Sequence, residues 1–128
     1  MIHRWPKKIL VVDDESAICD LVVEFLSFKG YAVSSASKGY AGLRMFQQED
    51  YDLVLLDIRM PEISGLDVLR EIKRIRPTTA VIMLSAYGDA ETIRTALTYG
   101  AAHYIEKPMA LEGLLRTIQG LEKEREEV

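Results

Sequence analysis

The stretch Asp52-Leu53-Val54-Leu55-Leu56-Asp57-Ile58-Arg59-Met60-Pro61 decides how this chain is read. Leu53 to Leu56 is a continuous apolar run, too short for an ordinary helix and apolar on both faces of a strand. That pattern belongs to a central parallel strand covered by helices on both sides. The run ends abruptly in Asp57. Pro61 and Gly65 beyond it cannot continue a strand, so the chain turns over the strand end. A carboxylate there lies where open α/β sheets hold their ligands. Asp is also common in turns, and on this stretch alone Asp57 can equally be a turn cap.

The same pattern recurs on either side. Lys7 to Val12 ends in Ile-Leu-Val-Val and is followed at once by Asp13, Asp14 and Glu15, a second strand end carrying acids. From Ser16 to Lys29 the apolar residues Ile18, Leu21, Val22, Phe25, Leu26 and Phe28 follow helical spacing, and Gly30 stops the run. Tyr31 to Ala36 reads as a more peripheral strand, interrupted by Ser34 and Ser35. Ser37 is the expected N-cap of a helix from Lys38 to about Gln48. Beyond Asp57, Leu66, Leu69, Ile72 and Ile75 mark a helix from about Ser64 to Arg76, ended by Pro77. Ala80 to Leu84 is another strand, closing on Ser85. Asp89 is placed to cap a helix reaching Tyr99, with Ile93, Ala96 and Leu97 on its inner face. His103 to Glu106 is a short fifth strand closing on Lys107-Pro108, and a last helix starts near Ala110.

The whole chain, 128 residues with 48% apolar content, is the size of one domain spanning 1–128. Its net charge of -4 and pI near 5.2 argue against a nucleic-acid surface. Cys19 has no partner for a disulfide and sits in a helical pattern as a small packing residue. No stretch approaches a signal-peptide core or the length of a membrane span, so a cytoplasmic protein is expected. Residues 1–6, with Trp5-Pro6, read as a mobile lead-in. Residues 122–128 read as a charged helix extension or the start of a linker.

Five alternations of strand and helix give a three-layer, doubly wound, five-stranded parallel sheet. The order 2-1-3-4-5 of flavodoxin-like folds would set the first and third strands side by side. Asp13, Asp14, Asp57, Ser85 and Lys107 then share one crevice. Three carboxylates held together resist ionising unless a cation neutralises them. Mg²⁺, with Mn²⁺ as a substitute, suits such an oxygen site, because it takes one or two carboxylates, waters and a substrate phosphate. Asp57 would then be a carboxylate nucleophile toward phosphorus, with Ser85 and Lys107 stabilising the phosphoryl oxygens.

Four motifs in order carry a family resemblance: Val11-Val12-Asp13-Asp14-Glu15, Leu55-Leu56-Asp57-Ile58-Arg59-Met60-Pro61 with Gly65, Leu84-Ser85-Ala86, and Tyr104-Ile105-Glu106-Lys107-Pro108. On these the chain resembles the receiver domain of the two-component response-regulator family over nearly its whole length. The resemblance implies that Asp57 accepts a phosphoryl group from a sensor histidine kinase or a phosphotransfer protein. It implies Mg²⁺ held by Asp57, by Asp14 directly, by Asp13 through water and by the backbone carbonyl of Arg59. Ser85 and Lys107 would bind phosphoryl oxygens, Ser85 and Tyr104 would switch together, and the Lys107–Pro108 bond would be cis. Arg59 and Tyr87 fall where the family varies, and are expected to tune the lifetime of the phosphorylated state. The expected output is a conformational change read by a partner or by a C-terminal output domain in a longer parent, and not enzymatic turnover. Pairing of two copies is expected through the fourth helix, fifth strand and fifth helix.

Taken singly, each residue has a plainer reading. Asp13 and Asp14 suit a helix N-terminus, Ser85 a turn, Lys107 a solvated surface, and Tyr104 a half-buried strand position. His103 joins no motif. Together these readings require four turns to carry complementary chemistry by accident. A flavodoxin-type cofactor carrier would need a glycine-, serine- or threonine-rich phosphate loop where Asp13-Asp14-Glu15 stands. A phosphatase would want a second carboxylate where Arg59 stands. A receiver-like module working without phosphorylation stays open, though the complete residue set speaks against it. In the last helix Leu111, Leu114, Ile118, Leu121 and Val128 take a and d positions of a heptad, which allows either a surface helix or a coiled-coil linker.

Overall fold

Every helix of this chain has a strand to cover. β1 (Lys8–Val12), α1 (Ser16–Phe28), β2 (Ala32–Ala36), α2 (Gly39–Gln48), β3 (Leu53–Asp57), α3 (Gly65–Ile75), β4 (Ala80–Ser85), α4 (Ala90–Thr98), β5 (His103–Glu106) and α5 (Leu111–Glu126) alternate without exception. The computed structural model describes residues 5–86 and 88–126. All strand pairs are parallel, in the order β2-β1-β3-β4-β5, as expected from the alternation.

The two-residue period of a strand divides the core in two. Ile9, Val11, Leu53, Leu55, Ile82 and Leu84 face Val22 and Leu26 of α1 and Leu114 and Ile118 of α5. Leu10, Val12, Val54, Leu56, Val81 and Met83 face the other way, toward Phe46 of α2, Leu69 and Ile72 of α3 and Ala96 of α4. This is why β1, β3 and β4 are apolar without alternation: both faces are covered. β2 and β5 form the edges, and no residue of β5 is buried.

Several sequence expectations shift. α1 buries Cys19, Val22 and Leu26, whereas Leu21 is 51% and Phe28 86% exposed, so two residues of the expected apolar stripe face outward. Adjacent helical positions differ by about 100°, and only one of Leu21 and Val22 can point squarely at the sheet. Leu97, expected on the inner face of α4, is likewise exposed, and Ala96 is the buried residue there. Ser37 does not cap α2, which starts at Gly39 after Lys38 and has no side-chain cap. Ser64 and Asp89 do cap, accepting from the N–H groups of Leu66 and Thr92 at 3.1 and 2.7 Å.

The heptad in α5 has a different meaning from a coiled-coil seam. Leu114, Ile118 and Leu121 are buried in this domain's own core and Leu111 packs against it, while Val128 lies outside the described residues. Trp5 and Pro6 are also part of the body: Pro6 is buried, and Trp5 packs on the core with the Arg125 guanidinium 4.2 Å above its ring. Among the described residues, no helix is long and apolar enough to cross a membrane.

Candidate functional site

Strand order brings the acids together. Val12 of β1 lies opposite Leu56 of β3, so Asp13 and Asp57, the next residues, reach the same edge of the sheet. Asp57 pairs with Leu84 of β4, and Ser85 follows it. β5 places Glu106 opposite Ser85, and the Lys107 N–H donates to the Ser85 carbonyl at 2.9 Å. The Lys107–Pro108 peptide bond is cis.

The consequence is charge inside the core. Asp13 and Ser85 are fully buried and Asp57 is 5% exposed, while Asp14 faces solvent. One oxygen from each of Asp13, Asp14 and Asp57 lies within 4.8 Å of the others. The Lys107 ammonium donates to Asp13 Oδ2 at 2.6 Å and to Glu15 Oε1 at 3.3 Å, and stands 3.6 Å from Asp57 Oδ2. Asp13 Oδ1 accepts the N–H of Glu15 at 3.0 Å, so both Asp13 oxygens are bonded. Asp57 is served less well. Burial, then the charge of Asp13, pushes its carboxyl up to about 7; Lys107 pulls it down, and a hydrogen bond with Asp14 and that residue's charge push it further up. Burial alone would lower the Lys107 ammonium, but its bond to Asp13 and the charges of Asp13 and Asp57 outweigh this and leave it raised.

The residues fit a hard divalent cation. Three carboxylates converge with one ammonium among them, and burial and the neighbouring acids push the Asp57 carboxyl up to about 7 despite Lys107, an imbalance that a cation would relieve. Arg59 is exposed and lines, with Asp14, Ile58 and Met60, an open cleft beside the acids. Tyr104 is half-buried, and its hydroxyl donates to the Ser85 carbonyl at 3.4 Å. Tyr87 lies outside the described residues. His103 is exposed. Cys19 is a packing residue whose Sγ donates to the Asp13 carbonyl at 3.1 Å, and burial pushes its thiol up to about 11.

Two residues that the sequence reading quoted only as parts of motifs also contribute. Glu15, quoted as part of a motif, is a second acid on Lys107, and its sign next to Asp13 was the available signal. Gly65 is the other: its N–H donates to the Ile58 carbonyl at 2.7 Å, and a Cβ there would stand 2.0 Å from the Asp57 carbonyl oxygen. The loop can close under the strand end only with a bare Cα.

Known proteins agree with this arrangement. Residues 9–119 match the response regulator receiver domain. Over 111 residues the chain is 38% identical to the transcriptional regulatory protein ZraR of Escherichia coli, a match covering 87% of this chain and 25% of that protein. It is 35% identical over 123 residues to the transcriptional regulatory protein TrcR of Mycobacterium tuberculosis, covering 94% of this chain and 48% of that one. The chain therefore spans less than half the length of these relatives. A response regulator receiver domain protein (CheY-like) from Methanospirillum hungatei superposes with a TM-score of 0.91 at 36% identity, covering 94% of this chain and 97% of that one. The chemotaxis protein CheY4 of Vibrio cholerae gives 0.84 at 29% identity, covering 88% and 95%. The strand order, the buried acids and these likenesses converge: the chain belongs to the response regulator receiver domain family of two-component signalling.

Proposed function

We propose that Asp57 accepts a phosphoryl group from a sensor histidine kinase or a phosphotransfer protein in a Mg²⁺-dependent step. The supporting observation is a buried carboxylate pushed up to about 7 beside two more acids, 3.6 Å from the Lys107 ammonium and with Ser85 at the end of the adjoining strand. Asp14, Asp57, the Arg59 carbonyl and, through water, Asp13 would hold the ion. Bound there, Mg²⁺ supplies positive charge to the acids and to the phosphoryl oxygens. An ionised Asp57 oxygen forms the bond to phosphorus as the donor's bond to phosphorus breaks. Lys107 and the Ser85 hydroxyl each take one phosphoryl oxygen. The exposed Arg59, with Tyr87, sets how fast water removes the group.

Ser85 moves toward the phosphoryl group, and Tyr104 follows because its hydroxyl is bonded to the Ser85 carbonyl. The face formed by α4, β5 and α5 carries the change to a partner, a second copy or an output domain. Incubation with acetyl phosphate and Mg²⁺, read by intact mass, tests the reading. One added phosphoryl group is expected in the wild type, and none in Asp57→Asn or after chelation. Equal labelling of Asp57→Asn would refute the assignment.

A further inference from the structure

The Tyr104 ring rests on Gly88, in the turn between β4 and α4. A Cβ built on Gly88 would stand 2.5 Å from Tyr104 Oη and 3.0 Å from both Cε1 and Cζ. These distances are far inside a van der Waals contact of about 3.5–4.0 Å, so the ring keeps this place only because residue 88 has no side chain. The three atoms nearest the added carbon all belong to the outer end of one side chain, and none to the main chain. The added methyl would therefore displace the free end of a flexible side chain and leave the main chain where it is.

That side chain is also a bridge. The Tyr104 hydroxyl donates to the Ser85 carbonyl at 3.4 Å, and the same carbonyl accepts the Lys107 N–H at 2.9 Å. Ser85 follows Leu84, the partner of Asp57 across β3 and β4. Gly88 itself stands two positions before α4, which begins at Ala90. One ring thus touches the strand end that carries the site and the turn that leads into the fourth helix.

We propose that Gly88 is a positioning residue: its bare Cα is the seat that holds Tyr104 on Ser85, and a side chain there uncouples the α4–β5 face from Asp57 without impairing phosphoryl acceptance. The proposal rests on Tyr104 as the carrier described above. The three heavy atoms nearest a Cβ at Gly88 all belong to Tyr104, so the effect of a side chain there is expected to run through the tyrosine.

Fluorine NMR of protein labelled with 3-fluorotyrosine tests it, the Tyr104 resonance being the one missing from Tyr104→Phe. In wild type, beryllofluoride with Mg²⁺, a phosphoryl analogue, is expected to shift this resonance. In Gly88→Ala the resonance should already be displaced at rest and its response to beryllofluoride lost, while acetyl phosphate labels Asp57 at the wild-type rate. A Gly88→Ala resting resonance and response equal to wild type would overturn the proposal. A wild-type Tyr104 that ignores beryllofluoride would defeat the carrier reading and the coupling with it, a result distinct from the first because the fault appears before any substitution. A thermal double-mutant cycle guards against a general folding defect. The cost of Gly88→Ala should vanish in a Tyr104→Ala background, and the same cost in both backgrounds would count against the seat.

Discussion

At the amino ends of the strands the ion pairs keep a carboxylate in contact with water; at the carboxyl ends two carboxylates and an ammonium stand in the core. Below, Lys8 pairs with Glu49 at 2.7 Å, each about half exposed, and Arg76 pairs with an Asp50 that is 91% exposed. Asp52 accepts the Lys7 N–H at 2.7 Å, and Arg125 donates to the Thr78 carbonyl at 3.0 Å. These contacts tie down loops and leave Glu49 and Asp50 in contact with water. Above, Asp13, Asp57 and Lys107 are taken out of solvent together, and the balance of charge is left short of a cation. The same strands carry both ends, so fold alone does not explain the difference. Buried like charges are unfavourable for stability. Among the described residues the buried acids Asp13 and Asp57 lie at one end, which makes that end the candidate place of chemistry.

The largest effect that would sharpen this contrast is on packing at the carboxyl end. Gly65→Ala forces a Cβ to 2.0 Å from the Asp57 carbonyl oxygen and 2.7 Å from the Ile58 Cα, both main-chain atoms that cannot swing aside. A loss of about 3 kcal/mol is expected in urea denaturation, the upper part of the usual range for overpacking. Wild-type stability would mean that the loop does not close as tightly as described.

A smaller effect follows from Asp57 itself. Its carboxyl is raised from 3.8 to about 7 in the folded chain, so between those values the folded state holds a proton that the unfolded state has lost. Stability from this group is therefore full below the ordinary carboxylate range and is lost as pH rises toward 7. Without Mg²⁺ the protein should melt higher at about pH 5.5 than at about pH 8, and Mg²⁺ should raise the melting temperature more at the higher pH. A Mg²⁺ effect independent of pH would break the comparison at its main point. At the amino end the corresponding change should be slight. Lys8→Met removes an exposed, solvent-screened pair, and its melting temperature should match wild type at both pH values. A marked drop would show that the lower end also depends on its charges.

How much of this was legible depends on the element. β1, β3 and β4 announced themselves because both faces are covered, which leaves a short run with no polar residue, and each run leads into a polar residue of the candidate site. What sequence could not give was depth. Asp13 and Asp14 are neighbours of one type, yet one is fully buried and the other faces solvent, because successive residues leave a strand end in opposite directions. The leucines of α5 show a second limit. Over so few turns, a seam for another helix and a stripe for the domain's own sheet have the same spacing, and Leu114, Ile118 and Leu121 serve the sheet. Gly65 and Gly88 show a third, since what matters at each is the atom that comes close from elsewhere in the chain.

Titration of the Asp57 carboxyl by carbon NMR, with and without Mg²⁺, tests the central claim most directly. A resonance absent in Asp57→Asn is expected to titrate near 7 in the metal-free protein and to fall toward the ordinary carboxylate range when Mg²⁺ is added. Titration in the ordinary range from the start, unmoved by Mg²⁺, would contradict it: the carboxyl end would then be no more strained than the amino end.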